Sequence, residues 1–327
     1  MRIHKLFSAV ALATASLALM GAPSAVQAAE IDSIHFLIPG GAGGGWDGTA
    51  RGTGEALVKA GLIGSASYEN MSGGGGGKAI AYLIKTAGKQ QKTLMVNSTP
   101  IVIRSLQKVF PQSFRDLTPV AGTIGDYGAL VVHSNSSLQS FGDLAAAYKA
   151  DPQKVAIGGG SVAGGMDHLV AAMIMKGAGA DPTQVKYVPY DAGGKAMAGL
   201  LSGEISALST GFGEAIEMAK QGQVRILCVT AKERLAEAKD VPTCMEAGAK
   251  GVSFVNWRGF FGPPGLSEAR KQAYVAVFRK MYETPEWETV RARNGWVNIF
   301  NPDKEFVKFL EDQEKVIGGL MKELGFL

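Results

Sequence analysis

The chain is poor in the residues most catalytic sites need. It has four histidines and two cysteines in 327 residues. The histidines, His4, His35, His133 and His168, are scattered. No His or Cys spacing matches a zinc site. Charged residues make up only 19% of the chain, and the two signs nearly balance. Arg2 and Lys5 are the only charges in the first 28 residues, so removing that segment takes the formal charge from +4 to +2. That balance, with no basic-aromatic stripe, excludes nucleic acid as a partner. Beyond residue 28 no apolar run reaches the length of a membrane span.

The first 28 residues themselves read as a cleaved secretory signal. Arg2 and Lys5 precede an apolar stretch from Leu6 to Met20, and Val26-Gln27-Ala28 has the small-x-small form of a cleavage site. The expected location is the periplasm. An oxidising compartment permits a bridge between Cys228 and Cys244, and two separate buried thiols are the alternative.

Glycine is abundant, with 44 residues clustered where strands meet helices. The central instance is residues 34–51, IHFLIPGGAGGGWDGTAR. Ile34–Ile38 is a buried-strand run that Pro39 ends, since proline cannot donate to a ladder. The loop Gly41-Ala42-Gly43-Gly44 lets peptide N–H groups approach a ligand, and Asp47 is a candidate cap for a helix reaching about Ala60. A strand, a glycine loop and a helix start make an anion site in outline. Ser72–Lys78 is a second glycine run, but it lacks the first glycine and the Ser/Thr of a phosphate-binding loop. Asn97-Ser98-Thr99, just past the strand Thr93–Val96, offers amide and hydroxyl groups, or else forms a turn before Pro100.

Further strands are expected at Ala129–His133, Lys154–Ile157, Lys186–Pro189, Ile205–Ser209, Val224–Thr230 and Phe254–Phe261. Helices are expected at Phe141–Ala150, Val162–Lys176, Glu268–Thr284 and Lys304–Leu324. The alternation gives an α/β fold with mainly parallel sheets. Gly159-Gly160-Ser161-Val162-Ala163 comes close to a nucleophile elbow. Its only downstream histidine is His168, on the helix that Ser161 would open, about 10 Å of rise away. A serine hydrolase is therefore disfavoured.

These features together resemble the extracytoplasmic solute receptors of tripartite tricarboxylate transporters, the Bug-type receptors. The resemblance runs through Pro39–Gly44 with Asp47, Gly73–Gly77, Gly160-Ser161 with His168, Val188-Pro189-Tyr190 with Gly193-Gly194, and Val241-Pro242-Thr243. It implies a two-lobed, flytrap-like binding protein that is not an enzyme and needs neither cofactor nor metal. Lobe 1 would be 29–124 with 253–327, and lobe 2 would be 125–252. Gly41–Gly44, Asp47 and Asn97–Thr99 would face Ser161, Gly164, His168, Asp191, Gly193 and Thr210 across the ligand. Asn256-Trp257-Arg258-Gly259 resembles the tricarboxylate-binding branch, so Arg258 would hold a third carboxylate or be tied up in a salt bridge. The implied function is capture of citrate or a similar carboxylate by a monomer that delivers it to integral-membrane transporter subunits. A receptor feeding a sensor kinase is the alternative.

A ligand shared by opposed loops gains contacts only when the lobes close. Saturating carboxylate should therefore shrink the radius of gyration in small-angle scattering. An unchanged radius would count against the flytrap.

Overall fold

The computed structural model describes residues 31–327. The expected signal peptide lies outside them. Among the described residues no helix is long and apolar enough to cross a membrane.

The chain opens with β1 (Ser33–Ile38), α1 (Gly45–Lys59), β2 (Ser65–Asn70), α2 (Gly77–Lys85), β3 (Thr93–Ser98) and α3 (Thr99–Leu106). The long strand β4 (Thr118–His133) follows, then α4 (Phe141–Ala150), β5 (Ile157–Gly159), α5 (Met166–Gly177), β6 (Tyr187–Pro189), α6 (Gly193–Leu201), β7 (Ala207–Gly211), α7 (Phe212–Lys220) and β8 (Val224–Val229). It closes with β9 (Val255–Gly262), α8 (Glu268–Met281), α9 (Pro285–Arg293), β10 (Val297–Pro302) and α10 (Lys304–Glu323).

The strand order is β2-β1-β3-β9-β4-β7-β5-β6, with β8 and β10 also paired to β4. The fold is α/β as expected, and its two wings are parallel: β1 pairs β2 and β3, and β5 pairs β6 and β7. The centre differs from the expected mainly parallel sheets. Every pairing that involves β4 or β9 is antiparallel. β4 explains this, because one strand serves both wings. Thr118–Tyr127 pairs β9, and Gly128–His133 pairs β7 and β8. The sequence reading found only the second half of that strand.

The chain returns beside this crossing just before β9. Thr230, fully buried, ties the two passages together. Its hydroxyl accepts from the Gly128 N–H at 2.8 Å and donates to the Phe254 carbonyl at 2.6 Å.

β1 is covered on both faces, which is why it reads as a continuous apolar run. Phe36 and Ile38 pack with Leu57, Phe278 and Trp287, while Leu37 faces the opposite cluster with Met95 and Ile103. That second cluster continues past Trp257 to Leu130, Leu144 and Ile174, so one apolar layer underlies both wings. Trp257 meets Phe306 and Phe309 edge-on at 5.7 and 5.9 Å, anchoring α10 to β9. Each such pair adds roughly 0.5–1.5 kcal/mol beyond its buried area.

Several element starts differ from expectation, for identifiable reasons. α3 has no counterpart among the expectations, which treat Asn97-Ser98-Thr99 as ligand-facing groups or a turn before Pro100. Pro100 instead sits in the first helical turn, where its missing N–H costs nothing. α5 begins at Met166 and not at Val162, so Ser161 does not open it. α9 and β10 were not anticipated. α4 matches its expectation, being fixed by a capping box in which Ser140 and Asp143 bond each other's backbone N–H.

Cys228 on β8 and Cys244 form a disulfide, with Cα atoms 4.8 Å apart and a sequence separation of 16. Closing a loop of that length contributes about 3 kcal/mol in the chain-entropy picture. Reductant should lower the melting temperature of exported protein by a corresponding amount. Two alkylatable thiols in unreduced, denatured protein would contradict the bridge.

Candidate functional site

A cavity of about 160 Å³ lies where the two wings meet. That is close to the roughly 150 Å³ that admits benzene, so it has room for a molecule of a few carbon atoms.

One wall is the loop after β1. Gly41 and Gly44 line it, whereas Ala42 and Gly43 do not. Asp47 is not the cap of α1, since Gly44 is. Asp47 sits in the first turn with its carboxylate folded back onto the Gly43 N–H at 3.0 Å, and it also takes Arg51 and Asn70. It rigidifies the loop from behind. Trp46 reaches the wall and donates to the Ser98 hydroxyl at 2.9 Å. Ser98 also lines the cavity, while Asn97 and Thr99 are buried off it.

The second glycine run, not assigned to the site from sequence, contributes Gly73–Gly76. All four have positive φ, a conformation only glycine adopts readily. A side chain at Gly75 would also press on the Arg104 Nε.

Arg104 itself was missed. It stands on α3, four residues after Pro100 and therefore on the same helix face. Recognising α3 would have found it. Arg104 is 4% exposed and lines the cavity. It donates to Gln107 Oε1 at 2.7 Å and to the Ala163 carbonyl at 3.1 Å. Among the described residues it forms no ion pair, and burial pulls its pKa down.

The opposite wall comes from the second wing. Ser161, Asp191 and Gly193 line it, but Gly164, His168 and Thr210 do not. Ser161 Oγ accepts from the Asp167 N–H at 3.0 Å and lies 3.1 Å from the Tyr187 hydroxyl. Asp191 accepts from Ser72 across the cleft. Thr210 donates to Glu214 at 2.8 Å. His168 stacks on Tyr187 at 4.5 Å, and its Nδ1 accepts from the Gly164 N–H at 3.1 Å. Both therefore contact Tyr187, but among the described residues no hydrogen bond joins Ser161 to His168.

The floor holds a buried ion pair. Arg258 (3% exposed) donates to Asp126 (1%) at 2.7 Å and to Thr49 at 3.0 Å. The second option raised for Arg258 from sequence, a carboxylate of the protein, is the one observed. A side chain at Gly45 would collide with the Arg258 guanidinium. Burial pushes Asp126 up to about 6 against the pull of Arg258. Asp167, Glu214 and Asn256 also line the cavity and were not expected. Burial, then the nearby Glu214, pushes Asp167 up to about 7. No sequence pattern marks these three, because they come from three separate elements. No group of His, Cys, Asp and Glu among the described residues is arranged to hold a metal.

The model of the tripartite tricarboxylate transporter family receptor matches residues 56–326. The chain belongs to this family. The BugT protein of Bordetella pertussis is 27% identical over 322 residues, covering 96% of this chain and 95% of BugT. Among solved structures, the periplasmic binding protein BugD superposes with a TM-score of 0.81 at 18% identity, covering 90% of this chain and 98% of BugD. MatC of Rhodopseudomonas palustris, solved with malate, gives 0.77 at 20% identity, covering 88% and 98%. A second R. palustris protein, solved with adipate, gives 0.81 at 18% identity, covering 90% and 97%. The fold of this receptor is that of the periplasmic binding proteins.

Burial holds His168 down at about 4, and the Gly164 N–H requires a neutral Nδ1. A depressed pKa contributes stability that is present above about 6.5 and lost as pH falls toward 4. The melting-temperature difference between wild type and His168→Gln should therefore shrink from pH 7.5 to 4.5. A constant difference would mean the imidazole does not titrate with folding.

Proposed function

We propose that this receptor captures a small dicarboxylate outside the cytoplasmic membrane and hands it to its membrane transporter. The ligand lies between lobe 1 (29–124 with 253–327) and lobe 2 (125–252), which turn about the β4 crossing and the Thr230–Phe254 return. Residues 1–28 direct the export.

One observation carries the reading. Arg104 is a buried guanidinium in the cavity wall with no acidic partner among the described residues. Burying a charge is costly unless it is paired, so the cavity is incomplete without an anion. Family membership and the relatives solved with malate and adipate support a carboxylate. The charge count disfavours citrate, because Arg258 is already spent on Asp126 and Arg104 is the one uncommitted cation among the described residues of the wall, so each added carboxylate is less well matched.

The two arginines should separate in calorimetry and melting. Arg104→Met should weaken dicarboxylate binding by about 1.5–3 kcal/mol, the worth of a hydrogen bond to a charged group. Arg258→Met should instead destabilise the unliganded protein by about 3–5 kcal/mol, because Asp126 is left unpaired. Unchanged affinity in Arg104→Met would remove Arg104 from the ligand and leave it a clasp between the lobes.

A further inference from the structure

We infer that Phe326, just beyond α10, is a positioning residue for the ligand: it clamps the stacked rings of His168 and Tyr187 and, through them, sets the Ser161 loop in the cavity wall. This rests on the carboxylate-receptor reading and extends it to a residue that does not line the cavity.

The contacts run unbroken from the first wing to that loop. α10 starts beside α8, where Asp303 pairs with Lys271. It passes α3, with Gly318 facing Leu106. It ends beside α5 of the second wing, where Glu323 pairs with Lys176. A helix of 20 residues acts as a strut about 30 Å long. It stops in a Schellman motif. Gly325 takes a φ of +77°, the Phe326 N–H donates to the Met321 carbonyl at 2.8 Å, and the Gly325 N–H donates to the Lys322 carbonyl at 3.2 Å. The motif fixes the direction in which the chain leaves the helix. The Phe326 ring thereby meets the His168 imidazole nearly at a right angle, with centroids 4.9 Å apart.

The two rings hold both ends of the loop. His168 stacks on Tyr187, whose hydroxyl donates to the Ser161 carbonyl at 2.7 Å. His168 Nδ1 takes the Gly164 N–H at 3.1 Å. Ser161 is thus fixed by a pair of rings that Phe326 closes from the far side of α10. The helix end alone asks for less. Capping α10 needs only an apolar group at 326, packed on the cluster that holds Met321 and Leu324, and leucine would serve. The His168 contact needs a ring. Phe326 also helps keep water from the imidazole, and burial with no charged group contributing is what lowers its pKa to about 4.

Phe326→Leu separates the two roles in the intact mature protein, with succinate, malate and adipate as calorimetric probes. The variant should melt close to wild type without ligand, yet bind the best of the three acids roughly two- to tenfold more weakly, the worth of one aromatic pair. An NMR titration, with the resonance assigned by His168→Gln, should show the His168 pKa rising from about 4 toward 6.5. Wild-type affinity in Phe326→Leu, or an unmoved His168 titration, would overturn the inference and leave Phe326 a helix cap. The wild type alone gives a further readout, because coupling between two sites is reciprocal. Saturation with the same acid should slow hydrogen exchange at the Phe326 amide, and exchange there that ignores the ligand would overturn the inference while sparing the carboxylate receptor. No binding by any of the three acids would overturn both.

Discussion

Arg258 and Asp126 form the contact on which the rest of this molecule leans. Both are almost wholly out of water, and neither would be tolerated there alone. Their hydrogen bonds reach outward to two helices. Arg258 brings in Thr49, which in turn donates to the Gly45 carbonyl in the first turn of α1. Asp126 accepts from the Gly213 N–H at the start of α7. One ion pair therefore fixes the ends of α1 and α7 relative to β4 and β9. The glycine loop that supplies one wall of the cavity leads directly into the first of those helix ends. The pair sits where β4 changes partners, so it also marks where the two wings are joined.

The two cavity arginines illustrate how differently one residue type can be used. Arg258 is saturated by the protein and holds the frame. Arg104 is bonded to a glutamine and to a carbonyl of the facing wing, which satisfies its N–H groups without cancelling its charge. Gln107 reaches the same facing loop, donating to the Gly164 carbonyl at 3.0 Å. α3 thus carries both an anion-seeking charge and a clasp between the wings.

The sequence is legible wherever a single segment carries the signal. Ile34–Ile38 followed by the glycine loop, the helix at Phe141–Ala150 and the strand around Trp257 each depend on residues close in the chain. The general place of the site was readable from the glycine loops, since a ligand-facing backbone needs little side chain. Side chains that meet only in space were not readable. Asp126 is 132 residues from the arginine it pairs with. Asp167, Glu214 and Asn256 come from three elements and share no spacing. Asn97–Pro100 suggests a ligand loop or a turn more readily than a helix start, and this hid α3 and, with it, Arg104. β4 escaped in part because Thr118–Tyr127 contains Pro119, Gly122 and Gly125, which break an apolar pattern without breaking a strand.

Much of the cavity's wall is main chain, including Gly41, Gly44 and Gly73–Gly76. Backbone N–H groups are the same whatever the ligand, so what discriminates one small acid from another falls to the few side chains that interrupt the glycine. Several of those side chains, Arg104, Glu214 and Asn256 among them, stand on regular elements, α3, α7 and β9. A gene duplicated from this one can therefore change its diet through a few substitutions while inheriting the anion-holding apparatus unaltered. Such an arrangement lets a genome diversify its uptake repertoire cheaply, with each copy departing from its parent at a few codons.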